Sequence, residues 1–449
     1  MLTSSKAKPT LEALPTELLI LILLEIPDLA SLKSIVLSSP TFHQAYLVVR
    51  HEALCRIVKN QWGVLLGDAI AATRSRGLIF TQYKHESIAL LDTWRRREEI
   101  NSLALSSSNR IDEPGNLEEI SHLFYLYKVF HFFLEDYAKN IPQPPWMEDD
   151  QWKTQVLPIK LSPSESHRLL RGLCRLQIYQ NIFGTPEHLD VPYHQVGEKP
   201  DRNQWDMNKG PSGHCDPRRE VFRLFFGTIP PWEYQEMACV WAYFKTMFDP
   251  IYKEMTAGLH ELVDKHMSKD IQEWKREYFE FLPEDVMPYW VNIGSLSALE
   301  HLSDMSDSLA SMGPEFVYRL MHETAPLIRR DMVMCNANDY SNSYFTDYWL
   351  NEDDLLPLLH PADRHAVQDF EYLWSTLPSV ERPNILWKTM FLMPDPPEHT
   401  LERAMTLQGG REPVWRLGLA IFDDERLTAW ETPFSKYTWG DIPDFEPDF

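Results

Sequence analysis

"LPTELLILILLEIPDL", residues 14–29, is the stretch on which the reading of this chain turns. Seven apolar residues run unbroken from Leu18 to Leu24, followed by Glu25, Ile26 and Pro27. A membrane-spanning helix needs about 20 apolar residues, and seven between Glu17 and Glu25 fall short. A secretory signal needs a basic start, an apolar run and a small-residue cleavage site. Lys6 and Lys8 precede the run, but Glu12 and Glu17 intervene and no A-x-A-like site follows. The stretch therefore reads as a helix of a folded protein. Leu18, Leu19, Ile22, Leu23 and Ile26 share one face, and Ile20, Leu21 and Leu24 cover most of the remainder. A helix that is apolar all round must be covered all round. Each such side chain left in water forfeits about 1.5–3 kcal/mol. Two short neighbouring helices cannot supply that cover, so either the following domain or a separate protein is expected to do so.

The surrounding residues define those neighbours. Pro15 suits the first helical position, where its missing N–H is harmless, and the first helix is expected to reach about Ile26, with Pro27 ending it. Asp28 can cap a second helix that places Leu29, Leu32 and Val36 on one stripe. Ser39-Pro40 caps and starts a third, followed by Phe42, Tyr46, Val49, Ala53, Leu54, Ile57 and Val58 at helical spacing.

Beyond residue 60 the pattern stays helical. Periodicity predicts helices at 64–73, 79–100 and 117–140, the last with a broad aromatic face. "NIPQPPWMEDDQW" (140–152) is a proline-rich, acidic connection. Ser162-Pro163-Ser164-Glu165 has the spacing of a capping box, opening a helix that runs to Phe183 with Gly184 as its stop. Residues 185–217 read as an irregular loop, followed by helices at 218–227, 231–249, 251–281, 295–312, 314–335 and 362–376. The last forty residues hold short Trp-rich pieces and suggest a small hairpin. Alternating runs are few. The expected class is mainly α: a three-helix unit over 10–60, then a large irregular helical domain over 61–449 with a sub-boundary near 141–160.

Composition narrows the function classes. The net charge of −23 repels phosphate backbones and argues against a nucleic-acid binder. Residues 1–60 hold six Lys/Arg and five Asp/Glu, so they carry +1 and the remainder −24. Five cysteines, with long spacings and no CxxC, read as a reduced chain of the cytoplasm or nucleus. The 33 prolines against 17 glycines fit many short helices and argue against glycine-rich phosphate loops.

Residues with chemical potential are scattered. "GPSGHCD" (210–216) puts Ser212, His214, Cys215 and Asp216 in one loop, with Asp190 and His194 upstream; a polar surface insertion accounts for it better than a metal or nucleophile site. The carboxylates of "NEDDLLP" (351–357) and "FDDERL" (422–427) could serve as acid and base, but acidic residues also favour helix starts. Trp232, Tyr234, Trp241, Tyr243, Trp274, Tyr278, Tyr289 and Trp290 could line a pocket, but such aromatics more often form core. No P-loop, GxGxxG, HExxH or GxSxG is present, so no catalytic residue, cofactor or metal is expected and the chain does not read as an enzyme.

"LPTELLILILLEIPDLASLKSIVLSSPTFHQAY" (14–46) resembles an F-box: Leu14-Pro15-Thr16-Glu17-Leu18-Leu19, the Ile22/Leu23 pair, Leu29, Leu32 and Val36 on a second helix, and Phe42 on a third. "LSPSESHRLLRGLCRLQIYQNIFG" (161–184), "PPWEYQEMACVWAYF" (230–244) and "WRLGLAIFDDERLTAW" (415–430) resemble blocks of a family of filamentous-fungal F-box-like proteins. The resemblance implies a substrate adaptor that binds the Skp-type adaptor of an SCF (cullin–RING) ubiquitin ligase and recruits a target protein. It implies that Leu14, Pro15, Leu18, Leu19, Ile22, Leu23, Leu29, Leu32, Val36 and Phe42 face that adaptor or the F-box core. Two other expectations stand beside it. One is a non-ligase scaffold whose own helical domain packs over the first helix. The other is an all-α enzyme, which would require groups such as His194, His214 and Asp216 to converge.

Overall fold

The computed structural model describes residues 11–95, 113–184, 224–266, 309–325 and 415–432, with short pieces at 187, 221, 306, 328–329, 332–333, 336, 377 and 381–386. Helices dominate and no strand occurs among them, so the chain is mainly α. Contacts divide it into two compact units, one within Met1–Arg74 and Asp92–Lys128, the other within Ser75–Leu91 and Val129–Phe449.

The first unit begins with three helices set by local chemistry. Helix α1, Thr16–Leu24, follows Pro15, which flanks the helix as its cap rather than occupying its first position. It stops two residues short of Ile26, because the residue before a proline is driven out of the helical region. In α2, Leu29–Ser38, the Asp28 carboxylate accepts the Ser31 N–H at 2.8 Å, as its sequence position suggests. Helix α3, Pro40–Trp62, starts at Ser39, whose hydroxyl accepts the Thr41 N–H at 3.2 Å, and stops at Gly63 with φ +53°, a conformation that costs glycine little.

Both α1 and α2 pack on α3. Leu19, Leu23 and Leu24 from α1, Leu32 and Val36 from α2, and Phe42, Ala45, Ala53 and Ile57 from α3 are buried. The unit continues past residue 60 into α4, Leu66–Arg74, and it takes in 92–128. Trp62 ties these parts together: its indole N–H donates to the Leu123 carbonyl at 3.3 Å, and its ring meets Tyr127 edge-on at 5.5 Å. Arg74 pairs with Glu119 at 2.6 Å and Lys59 with Glu113 at 2.7 Å. Buried Asp68 accepts the Trp94 indole N–H at 3.1 Å. Helix α5, Lys84–Arg95, begins five residues later than the expected 79, residues 96–100 lying outside the described residues, and α6 runs Leu117–Asn140 as the periodicity predicts.

The second unit is organised around α7, Pro163–Phe183. Its start has the full capping box: the Ser162 hydroxyl accepts the Glu165 N–H at 3.1 Å, and the Glu165 carboxylate accepts the Ser162 N–H at 2.8 Å. Fifteen of the twenty-one residues of α7 are buried, including Arg168, Arg171 and Arg175. Helix α8, Pro231–His266, packs along it. The spacing predicted a break at Pro250, yet α8 runs through it; Pro250 is exposed, where a carbonyl deprived of its N–H partner can bond water. Helix α9, Gly313–His322, also packs on α7. The piece 415–432 carries α10, Asp424–Ala429, and is fixed by Trp430, stacked edge-on with Trp152 at 5.3 Å and Phe422 at 4.7 Å. The remainder of the last forty residues, where a hairpin was expected, lies outside the described residues, as do 362–376.

Where α7 meets α8 the contact is very close. A Cβ on Gly172 would lie 2.8 Å from Val240 Cγ2 and 3.1 Å from the Glu236 carbonyl oxygen, so only glycine fits. The approach brings buried charges together. Arg171 reaches Glu236 at 2.7 Å and Glu233 at 2.9 Å, and Arg175 pairs with Glu233. At the N-terminal end of α7, Arg168 donates to Asp423 at 2.8 Å and to the Ile421 carbonyl at 3.0 Å. Glu165 accepts a two-pronged contact from Arg426 at 2.6 and 2.7 Å. Each of these buried charges of α7 thus meets its opposite, a condition under which burial is tolerated.

A candidate protein interface on the N-terminal helices

Helix α1 presents its apolar residues to opposite sides. The spacing i, i+4 puts Leu19 and Leu23 inward, both 1% exposed, with Leu24 beside them. Leu18 and Leu21, one turn apart on another side, are 44% and 57% exposed. Ile20, Ile22 and Ile26 are half-buried. Leu29, at the first turn of α2, is 40% exposed. Eight of the ten large apolar side chains exposed among the described residues lie between residues 11 and 64, the others of this group being Leu11, Leu37, Leu47, Val48 and Val64. The exposed apolar side chains of the described residues are thus concentrated in the first unit, which makes it the candidate surface for a protein contact.

The ten residues singled out by the resemblance therefore divide. Leu19, Leu23, Leu32, Val36 and Phe42 form the core of the three-helix unit. Leu14 and Ile22 are half-buried, and Pro15, Leu18 and Leu29 stand on the surface. Leu21, which the pattern did not single out, is more exposed than Leu18. Its signal was present, since a leucine one turn from Leu18 and off the Leu19/Leu23 face has no neighbouring helix to meet. Around the leucines the charges are mixed: Arg56 donates to Glu52 at 2.9 Å and to Glu25 at 3.5 Å.

The chemical candidates fare differently. His194, His214, Cys215, Asp216 and the carboxylates of 351–357 lie outside the described residues, as do Trp274, Tyr278, Tyr289 and Trp290. Trp232, Tyr234, Trp241 and Tyr243 are buried in the core. Of the "FDDERL" carboxylates, Asp423 is engaged by Ser162, Ser164 and Arg168, and Asp424 accepts the Ile385 N–H at 2.6 Å. Asp423 thus cross-links chain segments and leaves the helix start it flanks uncapped by its side chain. On α3, Cys55 Sγ lies 3.6 Å from His51 Nδ1, but burial pushes the thiol up to about 11, so the thiolate that a nucleophile needs is not formed at neutral pH. No cluster of three or more His, Cys, Asp or Glu suited to a metal occurs among the described residues. None of their helices is long and apolar enough to cross a membrane.

The buried arginines of α7 escaped the reading of the sequence. Their signal is a matched pair of spacings, Arg168, Arg171 and Arg175 on one helix against Glu233 and Glu236 on another, each set embedded in apolar residues. Compared with family models, with curated proteins and with solved structures, the chain gives no match.

Proposed function

We propose that this chain is an F-box-type adaptor. Its N-terminal helices dock on the Skp-type adaptor of a cullin–RING ubiquitin ligase, and the chain beyond them holds a target protein for ubiquitin transfer in the cytoplasm or nucleus. The observation that carries this reading is the exposure of Leu18, Leu21 and Leu29 on helices whose Leu19/Leu23 and Leu32/Val36 faces are already spent on the core of the unit. Covering three leucines that are already about half buried is worth roughly half of 1.5–3 kcal/mol each before the cost of association is deducted. The near-neutral N-terminal segment supports the same reading, since a chain carrying −24 elsewhere would offer an acidic adaptor a repulsive surface. The chain supplies positioning: holding a target beside the ligase raises its effective concentration there.

Affinity purification of the intact chain from a fungal cell, with mass spectrometry of the bound proteins, tests this. The Skp-type adaptor is expected with the wild-type chain and lost from a Leu18→Asp/Leu21→Asp variant. Both positions are exposed, so the variant is expected to keep its helix content. Equal recovery from both chains, or none from either, sinks the proposal.

A further inference from the structure

A cleft of about 210 Å³ opens in the second unit between the C-terminal turn of α7 and helix α9. At about 30 Å³ per water that is roughly seven waters, room for one side chain or a chain end. Its wall is built on rigid parts. The buried Gln177 amide oxygen accepts the Glu315 N–H at 3.0 Å, and its Nε2 donates to Asn181 Oδ1 at 2.9 Å. Asn181 in turn donates to Ser75 Oγ at 2.9 Å. Gly313, at φ +82°, lets the start of α9 sit directly on Gln180.

On this wall stands Arg319, its guanidinium 5.9 Å from the Phe316 ring centroid. The fork is aimed at a carboxylate, and one is present: Glu187 takes both prongs, Nη1 to Oε1 at 2.9 Å and Nη2 to Oε2. Glu187 belongs to no helix, and the Arg319 side chain is 42% exposed. With Arg319 at the water boundary and the Glu187 side chain 16% exposed, the pair exchanges more readily than the fully buried pairs of α7, while the planar fork keeps its preference for two coplanar oxygens.

We infer that this cleft is a binding site for a carboxylate-bearing peptide, and that Glu187 is a built-in stand-in which the ligand displaces from Arg319. Charge selects the ligand class. Among the described residues the charged groups of the lining are Arg319, Glu187 and Glu315, and a ligand carboxylate replaces the Glu187 charge one for one. A single carboxylate leaves the charge of the cleft unchanged, whereas a phosphate dianion adds a further negative charge to it. Ile79, Met312 and Phe316 add apolar surface for the body of the group that bears the carboxylate. The inference does not depend on the adaptor reading, because it involves none of the N-terminal helices.

Calorimetric titration of the full chain decides it, using three acetylated tetrapeptides. One has a single glutamate and an amidated end, one has a free C-terminal carboxylate and no acidic side chain, and one is an amidated glutamine control. Inorganic phosphate is the fourth probe. At least one carboxylate probe is expected to bind, and which one identifies a side chain or a chain end as the ligand. Glu187→Gln should tighten that binding about two- to fivefold, the strength of a displaced pair at the water boundary. Arg319→Gln should weaken it about tenfold or more, and Arg319→Lys nearly as much, because charge without the fork does not suffice. Helix content measured on each variant separates loss of binding from loss of fold. The inference is overturned if no carboxylate probe binds even Glu187→Gln, if Glu187→Gln gains nothing, if Arg319→Gln loses nothing, or if phosphate or the control binds as well.

Discussion

Arg171 holds two buried carboxylates at once, Glu236 at 2.7 Å and Glu233 at 2.9 Å, while Arg175 shares Glu233. Removing one partner of such a set leaves uncompensated charge in the interior. Arg171→Ala is therefore expected to lower stability by about 3–5 kcal/mol, measured as the shift of the urea midpoint. Arg171→Met combined with Glu236→Leu should recover much of the loss, because the Arg175–Glu233 pair remains. Burial, opposed by Arg171, raises the pKa of Glu236, so its ionisation weighs against the fold. Asp423 behaves oppositely. Burial alone would raise its carboxyl, but hydrogen bonds from Ser162 and Ser164 and the Arg168 charge outweigh it and hold the group below its ordinary value. A carboxylate with a depressed folded pKa gives stability that is present above the unfolded value, about 3.9, and lost as pH falls through the folded one. The wild-type melting temperature should thus fall more steeply below about pH 4 than that of Asp423→Asn, which starts lower at neutral pH. Equal slopes would remove this role.

At the scale of elements, the crossing of α7 and α8 depends on one residue. A Cβ at position 172 would press on Val240 at 2.8 Å and on the Glu236 backbone oxygen at 3.1 Å. Gly172→Ala is expected to destabilise the chain by about 1–3 kcal/mol, the range for overpacking a tight core, although alanine favours helices over glycine. A neutral or stabilising result in thermal melts would show that the helices move apart freely. Helix limits were legible to different degrees. The caps at Asp28, Ser39 and Ser162 bind the N–H groups their positions suggest, because capping is decided within three residues. The end of α1 at Leu24 and the continuity of α8 through Pro250 were misjudged by a few residues and by one break. Proline removes one N–H, and whether water can take the freed carbonyl, as at exposed Pro250, is settled only by the tertiary structure.

For the whole molecule, charge and apolar surface are segregated along the chain. The acidic excess lies beyond residue 60, and among the described residues the exposed leucines lie before residue 65. If adaptor capture rests on leucines, raising sodium chloride from about 0.1 to 0.5 M, which shortens the screening length well below 10 Å, should leave recovery within about twofold. A drop of tenfold or more would mean that charge, and not the apolar surface, carries the contact.

The sequence by itself determined the helical class, the three N-terminal helices with their caps, and the excess of apolar residues on the first of them. These follow from spacing and from contacts only a few residues apart. Which side of that excess is used could not be read from residues 14–29, because every side of α1 is apolar. Only the packing of α1 and α2 on α3 decided it, burying Leu19, Leu23 and Leu24 and leaving Leu18 and Leu21 outside. The tertiary structure likewise decided that Arg168, Arg171 and Arg175 lie inside. These three guanidinium groups are buried because their opposites arrive from other segments, and Glu233, Glu236 and Asp423 come from 58 to 255 residues away in the chain.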